Sequence, residues 1–193
     1  RQQMATDGIL PTNTEIALIQ ETNHKLAELP ALPAAAIGRT WVSGSFTIQQ
    51  LHTDGIQALS EYRTSSQDAL SSYETMMTTP RSDMGDSIHK AFRNVDPILN
   101  ELQLPVTEAN ARAVRILGYN RMELTPENIS QVKAADQEVQ TLIRNLQPSV
   151  VLHLVEDGIN PLNMPIQELN AIAEDYIADA DVASDEKYST FLQ

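Results

Sequence analysis

Residues 125–158 read TPENISQVKAADQEVQTLIRNLQPSVVLHLVEDG, and this stretch decides the fold class. Thr125, Pro126 and Glu127 form a helix start. The hydroxyl can accept a free backbone N–H, the proline ring presets φ for the first turn, and the acid suits the positive end of the helix dipole. Ile129, Val132, Val139 and Leu142 then fall on one face, which predicts a helix from 126 to 146. Pro148 opens a second helix through Glu156, and Asp157-Gly158 stops it.

The same punctuation recurs on both sides. Upstream, Thr107 caps a helix over 108–117, with Gly118 as its left-handed stop and Tyr119 folding back onto the core. Asp96-Pro97 opens 98–102, and Asp86 caps 87–94. Downstream, Gly158-Ile159-Asn160-Pro161 turns the chain, Pro165 opens a helix over 166–180, and Ser184 caps a short turn to 192. Near the start, Thr12 and Glu15 make a capping box for a helix over 13–29, with Ile16, Ile19, Leu26 and Leu29 inward. Pro33 opens a short helix ending near Gly38, and Ser43-Gly44-Ser45 is a loop. Thr47 and Gln50 cap a short helix through Leu51. Leu59, Tyr62, Ala69, Leu70, Tyr73, Met76 and Met77 then lie on one stripe of a long helix ending before Thr79-Pro80. The expected fold is all-α, with about eight helices.

The halves share a pattern. Ile16, Ile19, Leu26 and Leu29 have counterparts in Ile129, Val132, Val139 and Leu142, and a proline follows in each, Pro33 and Pro148. A glycine loop comes next (Gly44, Gly158), then Ile48-Gln49-Gln50-Leu51 against Ile166-Gln167-Glu168-Leu169. The chain is thus either one continuous helical bundle or two related lobes, 1–78 and 79–193.

Composition limits the function. The 193 residues carry a formal charge of −13 and no cysteine, which excludes disulfide scaffolds, thiol enzymes and Cys-ligated zinc. The charge opposes a polyanionic partner, so nucleic-acid binding is not expected. No apolar run reaches the roughly 20 residues that span a bilayer. Arg1 in place of a starting Met, with no signal-peptide pattern behind it, gives the expectation of a piece of a longer protein. The compartment stays open, with the cytoplasm favoured.

Candidate sites follow from the charged residues. Asp83, Asp86, His89 and Asp96 form the densest mixed cluster. Three of them can share a divalent cation, the alternative being that the acids cap helix starts. His24, His52, His89 and His153 lack any paired-ligand spacing. Residues 156–193 hold nine acids and one base, including Asp175, Asp179 and Asp181. A calcium loop counted from Asp179 fails, because Ser184 replaces the sixth-position glycine and Thr190 the twelfth-position glutamate. This end is a solvated acidic face or a docking face for a basic partner. Arg112 and Arg115 stand one turn apart, with Arg121 beyond. They suit an anion or acidic peptide, or internal pairing with the acidic final helices. No nucleophile elbow, phosphate-binding glycine loop or cofactor fingerprint is present.

Several long words carry a resemblance: Thr79-Pro80-Arg81-Ser82-Asp83-Met84-Gly85-Asp86-Ser87-Ile88, Lys90-Ala91-Phe92-Arg93-Asn94-Val95-Asp96, Ala111-Arg112-Ala113-Val114-Arg115-Ile116-Leu117-Gly118-Tyr119-Asn120 and Gly158-Ile159-Asn160-Pro161-Leu162. Over residues 75–172 the chain resembles a domain of unknown function found in large proteins of anaerobic Gram-positive bacteria, some of whose relatives carry a flagellar hook-length-control label. The resemblance implies no activity. Physically, Asp86, Gly118, Tyr119, Gly158 and Pro161 are determinants of helical corners. The expectation is a non-catalytic interaction or assembly module with a protein partner and no metal or cofactor. The alternatives are a metal-dependent hydrolase using Asp83–Asp96, and a structural helical spacer.

Overall fold

The computed structural model describes residues 12–65, 74–77 and 95–192, and among these the fold is all-α, with eight α-helices and no strand. They are α1 (Asn13–Glu28), α2 (Ala35–Ser43), α3 (Ile48–Ser65), α4 (Val95–Glu101), α5 (Glu108–Tyr119), α6 (Pro126–Asn145), α7 (Pro148–Glu156) and α8 (Ile166–Leu192). A 3-10 turn, Leu29–Ala31, links α1 to α2.

The local start signals work as their chemistry demands. Thr12 Oγ1 accepts from Glu15 N–H at 3.1 Å while the Glu15 carboxylate accepts from Thr12 N–H, completing the capping box of α1. Thr107 accepts from Asn110 N–H, and Thr125 from Asn128 N–H, at the starts of α5 and α6. Each cap satisfies an amide that the helix leaves without a partner.

The core is one contiguous apolar cluster. Leu29, Ile37, Ile48, Leu51, Leu99, Ile116, Ile129, Leu142, Leu154 and Ile166 are fully buried in it. Helices from both halves interlock: α1 packs on α7, and α2 on α5 and α6. Where the chain enters α3 and α8, Thr47 and Pro165 form an isolated antiparallel bridge, and Ile166 N–H donates to Phe46 C=O at 2.9 Å.

Several elements differ from the sequence expectation. α2 does not stop near Gly38 but runs to Ser43 and ends on Gly44, at φ 79°. Gly38 is buried inside it because a side chain there has no room: a Cβ would lie 2.4 Å from Asn120 Nδ2. α3 does not stop at Leu51 but passes through Gly55. It continues to Ser65, and the missing Cβ lets Leu32 pack against the helix. The long stripe ending at Met77 is not helical at its end. Glu74–Met77 lies alongside 30–34, with Thr75 bridged to Pro33 and a turn at Met76–Met77; Ala34 N–H donates to Glu74 C=O (2.7 Å) and Met76 N–H to Leu32 C=O (2.9 Å).

At the other corners, α4 is already helical at Val95, so Asp96 lies in its first turn rather than capping it. Gly118 is helical and is not the left-handed stop of α5; the positive φ falls on Arg121, at 55°. Asn120 makes this possible by donating to Ile116 C=O and Ala35 C=O, which fixes the exit of the chain. α8 runs unbroken to Leu192 instead of ending near 180. Ile16, expected inward, is 39% exposed.

Candidate functional site

Among the described residues, chemistry-bearing side chains come together in a charged network in the interior and in an open cleft at the surface.

The interior network begins on α5. Arg112 and Arg115 lie on its inward face and are each 6% exposed. Arg112 Nε donates to both oxygens of Asp136 on α6 at 2.9 Å, and its Nη2 to Met76 C=O at 2.7 Å. Arg115 grips Glu74 with Nε (2.9 Å) and Nη2 (3.0 Å), while Arg112 Nη1 reaches the same carboxylate at 3.2 Å. Tyr119 O–H also donates to Glu74, at 3.0 Å, and Gln140 donates to Asp136. Two cations thus balance two buried carboxylates, the condition under which burying charge is tolerated.

Electrostatics follow the geometry. Burial raises the Asp136 carboxyl above its ordinary range, outweighing attraction and hydrogen bonds from Arg112. Burial works against the charge of Arg115, yet hydrogen bonds and attraction from Glu74, then from Glu108, raise it above its ordinary value. Burial first, and then the charge of Glu74, push Tyr119 up as well. The network therefore clamps the segment Glu74–Met77 to α5 and α6. Among the described residues, the ionic partners of Arg112 and Arg115 are Glu74, Asp136 and Glu108, not the acids of the final helix.

The cleft lies between the end of α6, the start of α7 and the middle of α8. Its volume is about 510 Å³, and Arg144, Asn145, Gln147, Ser149, Val150, His153, Tyr176 and Ile177 line it. The His153 and Tyr176 rings stack at 5.7 Å with 28° between planes. Tyr176 O–H donates to Asp157 at the end of α7. Burial, then the hydrogen bond and charge of Asp157, push the Tyr176 phenol up to about 12.

The remaining sequence candidates are dispersed. Asp175 and Asp179 are exposed on α8, and Arg121 is exposed beyond α5. Asp181 falls within α8, but its side chain lies outside the described residues, as do Asp83, Asp86 and His89. Gly158 takes φ 82° after α7, and Pro161 is buried. His24 and His52 both approach Glu28 Oε1, at 3.2 and 2.8 Å. Among the described residues, no group of three or more His, Asp or Glu side chains is disposed to hold a metal ion, and no helix is long and apolar enough to cross a membrane.

Sequence reasoning missed Glu74, Asp136 and the cleft. A signal existed for Asp136: an acid inside the apolar stripe of α6, between Val132 and Val139, needs a buried cation. Glu74, between Tyr73 and Met76, carried the same mark. The cleft had none, because its lining comes from three helices.

The whole chain, residues 1–193, matches DUF6240, described as a family of unknown function, and belongs to it. No curated protein and no solved structure matches the chain.

Proposed function

We propose that this member of the DUF6240 family is a non-catalytic protein-interaction or assembly module, which seats a polypeptide segment of its partner in the cleft between α6, α7 and α8. The observation that carries the reading is the cleft itself: an apolar floor of Val150 and Ile177, a stacked His153–Tyr176 wall, and polar groups at the rim. Such a mixture of apolar floor and few polar groups suits a ligand that needs both burial and orientation. Beside it, α8 exposes Glu174, Asp175 and Asp179 to solvent. These acids favour partner segments with basic flanks and accelerate their encounter. The charges of Arg112 and Arg115, by contrast, are engaged in holding the fold.

The test is a selection of random displayed peptides on the intact chain and on a chain in which Ser149→Trp obstructs the cleft. The reading expects a sequence class enriched on the first and lost on the second. Enrichment of no class, or of the same classes on both, would overturn it.

A further inference from the structure

The rest of the fold holds Glu74–Met77 as it would hold a separate peptide. Burial alternates along the segment, with Glu74 and Met76 inside and Thr75 and Met77 half-buried. Its backbone pairs with 30–34: Ala34 N–H donates to Glu74 C=O, and Met76 and Met77 N–H donate to Leu32 and Pro30 C=O. Arg112 Nη2 donates to Met76 C=O. Arg112, Arg115 and Tyr119 of α5 converge on the Glu74 carboxylate, and the Met76 side chain is fully buried in the core. Backbone pairing that supplies affinity, with alternate side chains that supply selectivity, is the way a strand-like peptide is recognised.

The receiving side is organised by residues outside the segment. Both oxygens of Asp136 orient Arg112, Gln140 holds Asp136, and Glu108 holds Arg115. The pairs α5–α6, α2–α3 and α1–α7 pack directly on one another. Charge then sets what the groove must take. Without Glu74, Arg112 keeps Asp136, but Arg115, 6% exposed, keeps among the described residues only Glu108, whose side chain is 76% exposed. A buried cation so weakly compensated requires an anion. Leu32 C=O and Ala34 N–H require backbone partners, and the space of the Met76 side chain suits a flexible apolar one.

We propose that the groove between connector 30–34 and α5 is a further docking site, for a partner polypeptide carrying a glutamate and, two residues later, a methionine or leucine-sized side chain, and that Glu74–Met77 is the self-ligand that keeps it closed. The groove shares no residue with the cleft between α6, α7 and α8, and neither site depends on the other. The covalent tether presents the self-ligand at an effective concentration on the order of millimolar, so a partner enters only when it binds more tightly or at several points. In the closed chain Arg112 and Arg115 hold the fold; in the open one they hold the partner.

The experiment vacates the groove of the full chain with Glu74→Lys and Met76→Ser together, and supplies the blocked tetrapeptide Glu-Thr-Met-Met, residues 74–77, in trans. Far-ultraviolet circular dichroism is expected to show the helical body retained, with a lowered thermal midpoint. Peptide at several times its Kd is expected to raise that midpoint by about 2–4 °C and to leave the parent's unmoved. The peptide altered by Glu74→Gln or Met76→Ser is expected to bind at least about tenfold more weakly. Loss of helical structure in the variant would overturn the proposal, because the groove would then not exist without its segment. No rise, or an equal rise with the altered peptides, would overturn it too. Hydrogen exchange of the parent supplies a second test that needs no variant. The Ala34 and Met76 amides are expected to exchange at least about tenfold faster than those of Val139 and Leu142 on α6. Equal rates would mean that the segment leaves only when the whole chain unfolds, and would overturn the proposal as well.

Discussion

Arg112 and Asp136 meet across the packing of α5 on α6, with Nε 2.9 Å from both carboxylate oxygens and both residues more than nine-tenths buried. A cation and an anion in this setting tolerate each other's burial, and neither tolerates being left alone. Asp136→Asn is therefore expected to destabilise the chain by about 3–5 kcal/mol, the cost of an uncompensated buried charge. Glu108, whose side chain is 76% exposed, also receives Arg115, but Glu108→Gln is expected to cost under about 1 kcal/mol. Urea unfolding of the two variants checks the contrast, and equal losses would contradict it.

The approach of α2 to the exit of α5 depends on Gly38. Gly38→Ala forces a Cβ to within 2.4 Å of Asn120 Nδ2, a group held by hydrogen bonds to Ala35 and Ile116. Overpacking of this kind costs about 1–3 kcal/mol. Combining it with Asn120→Ala is expected to cost less than the sum of the single changes, because the obstructing amide is gone. Strict additivity in thermal or urea unfolding would argue against the contact.

Gly44 and Gly158 make a different demand. Neither has an atom near the position of a Cβ, so Gly44→Ala and Gly158→Ala pay only for the left-handed backbone, about 1–2 kcal/mol each. Similar losses in the two variants are expected. A loss at one position alone would show that the two helix ends are not equivalent.

Acid should weaken the fold through two exposed pairs. Hydrogen bonding by Arg39 holds the Glu61 carboxyl below its ordinary range, and a hydrogen bond with His52 does the same for Glu28. A carboxyl with a depressed folded-state pKa contributes stability above its unfolded pKa, and loses it as pH falls through the folded value. Stability is thus expected to fall from about pH 5 downward, with a shallower slope in Glu61→Gln and Glu28→Gln. Chemical unfolding at stepped pH gives these slopes, and a slope unchanged in both variants would contradict the assignment.

Tyr176 offers a probe inside the cleft. Its phenol is expected to ionise near 12, and Asp157→Asn is expected to bring it down by removing a neighbouring charge. A carbon-13 NMR titration of the tyrosine ring reads both values. No downward movement in the variant would show that Asp157 does not face the hydroxyl.

The sequence disclosed what depends on neighbours along the chain. Thr12 with Glu15, Thr107, and Thr125 with Pro126 mark helix starts because capping is local chemistry. The apolar stripes of α1 and α6 follow from the helical repeat in the same way. What escaped depends on distant partners. Met76 is buried as its stripe implied, yet in a non-helical segment whose hydrogen bonds go to Pro30, Leu32 and Ala34, and no local residue announces that pairing. The short helix expected to run through Leu51 continues past Gly55, because Leu32 uses the missing Cβ there. The charged network was half visible: the arginines stood out, and internal pairing was one of two readings open for them, while their mates Glu74 and Asp136 were hidden by sequence separation. The cleft is assembled from α6, α7 and α8 together, which no single window of sequence contains.

The claim that the chain seats a partner's polypeptide segment between α6, α7 and α8 is tested most directly by mapping backbone amide NMR shifts during titration with a peptide selected on the intact chain. The account predicts perturbations concentrated at Asn145, Gln147, Ser149, Val150, His153, Tyr176 and Ile177. Perturbations concentrated outside this set, or none anywhere, would contradict it.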